Sequence, residues 1–255
     1  MRILSLLITT TLLTPLAEAQ KINDVILKKD GARLRGLEIT EFLLTGVRAK
    51  HGPDAVEIPA HQVLDVEWSN MSEAFLAGRA AMERGNFRNA TQMFGDAKTQ
   101  AERPLVKADA EFFQIKAAVA AIGVDKNAAA TAAEHARGWL AANQNHWRTP
   151  EATLLAGRAE RLAGTGATAA TTLRDLDDRA IREGFGAIWS ARAKFELALT
   201  LLTDGKGGEA RAAFQSASSA ADAALQTSSP DAAELRALKV QARVGEGETF
   251  LSDKD

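Results

Sequence analysis

The sequence predicts a protein in two parts: a small N-terminal β-barrel, then an α-solenoid of about four helical hairpins closed by a capping helix. Composition changes near Asn70. Before it, valine, isoleucine and leucine alternate with charges; after it, the chain is alanine-rich with helical periodicity. The second observation is a pattern at offsets 0, +7, +12, +16 and +19 that occurs three times: Gly78, Gly85, Ala90, Phe94, Ala97; Gly157, Gly164, Ala169, Leu173, Leu176; and Ala198, Gly205, Ala210, Phe214, Ala217. Small residues suit the close crossing of two helices, a glycine ends the first helix, and a large apolar residue fills the gap to the next hairpin.

The first element, residues 1–19, reads as an export signal. Arg2 supplies the positive start, Ile3 to Leu13 the apolar core, Pro15 a break, and Ala17-Glu18-Ala19 a small-x-small cleavage site. The stretch is too short and too rich in threonine for a membrane-spanning helix, so the expected mature chain begins at Gln20, carries no transmembrane segment, and is periplasmic or secreted. The chain has no cysteine, which removes disulfides, thiolate catalysis and thiolate metal sites.

Residues 20–70 read as the small β-barrel domain. Val25-Ile26-Leu27 runs into the hairpin signal Asp30-Gly31, and Leu34 begins the return strand. Further strands are expected over Phe42 to Ala49, Val56 to Ile58 and Val63 to Trp68. Gly36 marks a bend or bulge, and Trp68 belongs in the core. Lys28, Lys29, Arg33, Arg35, Arg48 and Lys50 offer a basic rim, although lysines on strand edges also serve to block sheet-to-sheet pairing.

Residues 71–255 read as the helical repeat domain. Helices are expected near Ser72–Arg84, Arg88–Ala101, Leu105–Ile122, Asn127–Asn143, Pro150–Ala163, Ala167–Glu183, Gly186–Thr203, Gly208–Gln226 and Pro230–Val244. Pro104, Pro150 and Pro230 stand at helix starts, where Thr149-Pro150-Glu151 and Ser229-Pro230-Asp231 each give a cap, a first-turn proline and an acid. The last helix covers the apolar end that stacking leaves open.

The five-point spacing resembles the tetratricopeptide repeat, a helix-turn-helix unit of about 34 residues that stacks into a solenoid. The family's usual tryptophan and tyrosine early in the first helix are missing, and the chain has no tyrosine at all. Pro104 to Asn145 lacks a unique fit and reads as a degenerate or inserted hairpin. The front domain loosely resembles small SH3-like or Sm-like barrels. An SH3-type groove for proline-rich ligands needs clustered exposed aromatics, and this segment holds only Phe42 and Trp68.

Catalytic and cofactor chemistry finds no motif. Gly164-Thr165-Gly166 and Gly205-Lys206-Gly207-Gly208 follow no strand and lack the phosphate-loop lysine, so they read as hairpin turns. Asp175, Asp177 and Asp178 are spaced along a helix rather than around a calcium loop. His51, His61, His135 and His146 do not make a zinc-hydrolase spacing, and no serine sits in a Gly-x-Ser-x-Gly elbow. The net charge of −2, with acids and bases interspersed, gives no footprint for nucleic acid. A non-catalytic scaffold without cofactor or metal is therefore expected, with a protein or peptide as partner.

The resemblance implies where that partner sits. In the tetratricopeptide family the first helix of each hairpin lines a concave groove, which selects Phe75, Arg79 and Met82 around Gly78; Leu154, Arg158 and Arg161 around Gly157; and Phe195 and Leu199 around Ala198, with Arg192 nearby. Arginines flanked by apolar side chains suit an acidic or C-terminal peptide. The rival expectation is a barrel-led module that grips an anionic glycan, lipid or polymer through its basic rim, with the helices as a spacer.

Overall fold

The computed structural model describes residues 22–123, 125–226 and 230–252. The expected export signal and the capping Ser229 lie outside them. Five strands come first: β1 (Asp24–Lys28), β2 (Arg33–Phe42), β3 (Gly46–His51), β4 (Asp54–Pro59) and, after one 3-10 turn at Ala60–Gln62, β5 (Val63–Glu67). They form an antiparallel sheet in the order β4-β3-β2-β1-β5. Alternation sets the faces: in β3, Val47 and Ala49 point inward while Arg48 and Lys50 point to water. Gly36, at φ +74°, is the bulge expected of it, since β2 advances one residue more than β1 between the pairs Asp24–Leu37 and Ile26–Leu34.

Two sequence expectations need correction here. The strand expected over Phe42 to Ala49 is interrupted, because Leu43 and Gly46 exchange backbone hydrogen bonds at 2.8 and 3.2 Å and turn the chain from β2 into β3. The sheet is also not a closed barrel: β4 and β5 stand at opposite edges and do not pair. Helical side chains meet the β5 edge instead. Arg79 donates to the Val66 carbonyl at 3.4 Å, and Asp65 takes the guanidinium of Arg148 at 2.6 Å.

Nine helices follow among the described residues: α1 (Glu73–Glu83), α2 (Phe87–Gln100), α3 (Pro104–Ala121), α4 (Lys126–Ala142), α5 (Thr149–Leu162), α6 (Gly166–Arg182), α7 (Ala187–Thr203), α8 (Gly207–Leu225) and α9 (Ala232–Ser252). Each of the three repeat copies closes its first helix in the same way. Gly85, Gly164 and Gly205 adopt φ of +71°, +83° and +72°. In each case the glycine N–H and the next N–H bond back to the helix, as from Gly85 to Met82 at 3.0 Å and from Asn86 to Ala81 at 2.9 Å. Small and large positions then interlock. A Cβ on Gly78 would lie 2.9 Å from the Phe94 ring, and one on Gly157 would lie 2.7 Å from Leu173.

The hairpin without a clear pattern, α3–α4, keeps the same register with alanine throughout: Ala117, Ala129, Ala133 and Ala136 hold offsets 0, +12, +16 and +19 and are buried. Its turn glycine, Gly123 at φ +56°, comes one residue early. Ala133 is too small for the gap-filling position. Trp139 supplies the bulk instead, fully buried with its indole N–H on the Ala108 carbonyl at 2.9 Å.

The last helix runs eight residues past its expected end at Val244. Gly245, one residue past that expected end, is a contact residue inside the helix: a Cβ there would lie 2.5 Å from the Phe214 ring. Helices α3, α5, α7 and α9 are neighbours along one inner wall, and α1 joins them where Phe75 meets Phe113 at 5.8 Å. The sheet lies against this wall. One hydrophobic core runs from Ile26 and Trp68 in the sheet to Phe94, Phe113 and Ala159 in the helices.

Candidate binding groove

Where the sheet ends, the inner wall is open. A cavity of about 320 Å³ lies there, with Met82, Val119, Leu154, Leu155, Phe195 and Leu238 as its apolar lining. Its polar lining is Lys116, Glu151, Arg158, Arg192, Glu196, Glu234 and Gln241. A second cavity of about 190 Å³ lies between the sheet and the same helices, lined by Leu44, Val63, Leu64, Trp147, Phe185 and Trp189 among others. Both are bordered by Lys116, Glu151, Arg192 and Glu234. These four residues form two ion pairs, Lys116 with Glu151 at 2.7 Å and Arg192 with Glu234, which stand where the two chambers meet.

The helical register explains which side chains face inward. Leu154, Arg158 and Arg161 follow at i, i+4 and i+7 on α5, as do Arg192, Phe195 and Leu199 at i, i+3 and i+7 on α7. The structure brings Met82, Leu154, Arg158, Arg192 and Phe195 together around the larger cavity. It places the other four elsewhere. Phe75 is 1% exposed and packs edge-on against Phe94 and Phe113. Arg79 pairs with Asp65 of β5 and lies 5.2 Å from the Phe113 ring centroid, beneath the sheet. Arg161 stands behind Glu196, at 3.3 Å from its Oε2. Leu199 packs against the cluster of Ala198, Phe214 and Ala242.

The arginines of the cavity are already engaged. Glu196, 3% exposed, receives both Arg158 and Arg161, and the Arg158 side chain remains 43% exposed. Glu151 stays ionised: burial opposes its charge, but Lys116 and then Arg148 and Arg192 outweigh it and hold the carboxyl below its ordinary range. The groove is therefore a neutralised mosaic of paired charges over an apolar floor. Glu151, Glu196 and Lys116 escaped sequence reasoning because a lone charge on a helix looks like any solvated residue; the only hint is that Glu196 interrupts the apolar run Phe195 to Leu202.

A buried polar cluster lies under the sheet, and its Arg148 borders the smaller cavity. The Arg148 guanidinium donates to Asp109 Oδ1 at 2.7 Å and to Asp65 Oδ1 at 2.6 Å, and it lies 4.2 Å from the Trp147 ring centroid. Trp68 completes Asp109 through its indole N–H at 2.9 Å. Beside this cluster Asp24 accepts both arms of Arg103 at 2.8 Å, together with the N–H groups of Ser69 and Ile39. Burial disfavours the Asp24 charge, yet Arg103 and those backbone donors outweigh it and hold the carboxyl below its usual range. His146, buried against Phe42 and Trp139, is held neutral: burial first and the Arg148 charge second push its pKa well below 6.5.

Five of the six basic residues on the rim of the sheet are likewise partnered, Lys50 with Glu38 at 3.9 Å among them. Lys28 meets Asp30, Lys29 meets Asp231 of the turn before α9, Arg33 meets Glu67, and Arg48 meets Glu41 and Glu57. Among the described residues no cluster of three metal-ligating side chains occurs, and no helix is long and apolar enough to cross a membrane.

No protein-family model and no curated protein sequence matches the chain. Among solved structures it is similar to a Rap protein complexed with competence and sporulation factor, with a TM-score of 0.44 and 16% identity. The match covers 71% of this chain and 54% of that protein, so it spans about half of the latter's length.

Proposed function

We propose that this protein is an exported, non-catalytic scaffold that holds a segment of another polypeptide in the groove on the inner wall of its helical array. One observation carries the reading: apolar side chains from α1, α3, α5, α7 and α9 converge on one open cavity that the sheet leaves uncovered. A volume of about 320 Å³ lies at the lower end of ligand-site sizes and suits one or two side chains of an extended segment. Met82, Leu154 and Phe195 bury those side chains. Arg158 directs the bound backbone or a terminal carboxylate, because two of its five N–H donors are spent on Glu196 and its side chain is 43% exposed. Phe75, Arg79, Arg161 and Leu199 act one layer behind, as supports.

Export rests on the Arg2, Ile3 to Leu13 and Ala17-Glu18-Ala19 pattern, and places the protein in the periplasm or outside the cell. The test of the groove compares Arg158→Ala plus Arg192→Ala with Arg33→Ala plus Arg35→Ala, once a partner has been captured by mild cross-linking in the native envelope. Weaker binding only in the groove pair supports the reading. Weaker binding only in the sheet pair replaces it with recognition of an anionic polymer by the sheet.

A further inference from the structure

Four of the seven large apolar side chains most exposed among the described residues, Val240, Val244, Phe250 and Leu251, lie on α9. They are not scattered. Ala233, Ala237, Val240, Val244, Gly247 and Leu251 are all exposed and follow one another at steps of four and three, the heptad spacing that keeps an apolar seam on one side of a helix. A second set at the same steps, Leu235, Leu238, Ala242, Gly245 and Thr249, is buried. Averaged at about 100° per residue, the two sets point about 160° apart around the helix, so they occupy opposite faces. The inner seam packs on α8 and α7. The outer seam, about 27 Å long from Ala233 to Leu251, is uncovered among the described residues, and an outermost helix of a solenoid that faces water otherwise presents a polar face.

We propose that α9 pairs in parallel with α9 of a second copy of this chain, making the protein a two-fold homodimer. The occupant is a helix because only a helix matches a heptad seam over its whole length. It is another copy, in parallel, because of the charges beside the seam. Arg243 immediately precedes the Val244 position and Glu248 immediately follows the Gly247 position. In a parallel pair each Arg243 faces the other chain's Glu248, twice over by symmetry. In an antiparallel pair centred on Ala242, which would match Val240 with Val244, Arg243 faces Arg243 and Glu234 faces Glu248, so like charges meet. No ion pair engages Arg243 or Glu248 among the described residues of the single chain. Ala237 and Gly247 let the two backbones approach, while Val240, Val244 and Leu251 supply the apolar contact.

The chain has no cysteine, so an introduced thiol reports on its own. Val244→Cys in the full chain, oxidised under mild conditions, is expected to form a disulfide-linked dimer, since position 244 faces itself only in the parallel pair. Added Val240→Glu is expected to abolish that product without loss of helicity, because residue 240 is exposed. Arg243→Glu alone should shift sedimentation toward monomer, and Arg243→Glu plus Glu248→Arg should restore the dimer. A monomer at every concentration together with no disulfide from Val244→Cys overturns the proposal. So does a disulfide formed only when Val240→Cys and Val244→Cys chains are mixed, or an Arg243→Gln chain that dimerises more tightly through loss of an Arg243–Arg243 repulsion, since both describe the antiparallel pair.

Discussion

Arg148 and Asp109 form a fully buried ion pair, 3% and 0% exposed, with Nε donating to Oδ1 at 2.7 Å. Arg148 opens α5, Asp109 lies in α3, and the Asp65 carboxylate that shares the guanidinium belongs to β5. One side chain thus ties the sheet to two helices of the inner wall.

Breaking that pair on one side should be costly. Arg148→Ala leaves Asp109 charged and buried with only the Trp68 indole as donor, and a loss of about 3–5 kcal/mol is expected. Replacing both partners by apolar residues, Arg148→Met with Asp109→Leu, should cost much less than the single change. Urea unfolding followed by Trp fluorescence and by far-ultraviolet circular dichroism measures both. Because the core is continuous across the sheet and helices, the two signals should fall together.

The repeat register predicts a second set of energies. Phe94 and Phe214 are 0% exposed, and truncation of either to alanine should cost about 3–5 kcal/mol. Gly245→Ala should destabilise by about 1–3 kcal/mol despite alanine's better helix propensity, because its methyl meets the Phe214 ring. Phe214→Leu should relieve part of that cost, so the double change should be less than additive in thermal unfolding.

Acidification should weaken the fold in two steps. His146 is neutral in the folded state, while the unfolded chain takes up its proton near the ordinary pKa of about 6.5. Its contribution is therefore whole above that pH and falls below it, by up to about 1.4 kcal/mol per pH unit. Asp24 acts lower: its folded pKa is depressed, so its contribution is whole above about pH 3.9 and is lost as pH falls through the folded value. Stability measured against pH should decline from pH 6.5 downward, and the His146 imidazole should show no titration near 6.5 by NMR. A normal titration of that ring would contradict its placement between Phe42 and Trp139.

Export should leave a defined end. Cleavage after Ala19 predicts a mature N-terminus at Gln20, read by mass spectrometry of the exported protein. A chain that still begins at Met1 contradicts the periplasmic or secreted placement.

The hairpins were legible in the sequence because their constraints are local. A turn glycine with positive φ and a small residue opposite a large one both leave marks at fixed spacing, as at Gly78, Gly85 and Phe94. The two helices of the α3–α4 hairpin were legible but their repeat register was not, since Ala133 carries no size signal and its substitute, Trp139, lies six residues on. The helix end expected at Val244 fell short because a glycine that ends a helix and one, such as Gly245, that admits a phenylalanine ring look alike in sequence. The open sheet and the position of Arg79 and Arg161 behind the groove depend on Asp65, Asp109, Arg148 and Glu196, whose partners lie between 14 and 83 residues away in the chain.

The central claim is that a polypeptide segment lies in the cavity between Met82 and Phe195, and site-specific photo-cross-linking tests it most directly. A benzophenone amino acid at Phe195 or Met82, activated in the native envelope, should give a protease-sensitive adduct. The adduct should disappear when Ala120→Trp projects a ring into the cavity from an exposed position. The same probe at Ile181, exposed on α6 away from the cavity, should give none. Adducts from Ile181 alone, or adducts at Phe195 that survive Ala120→Trp, would contradict the groove as the site of binding.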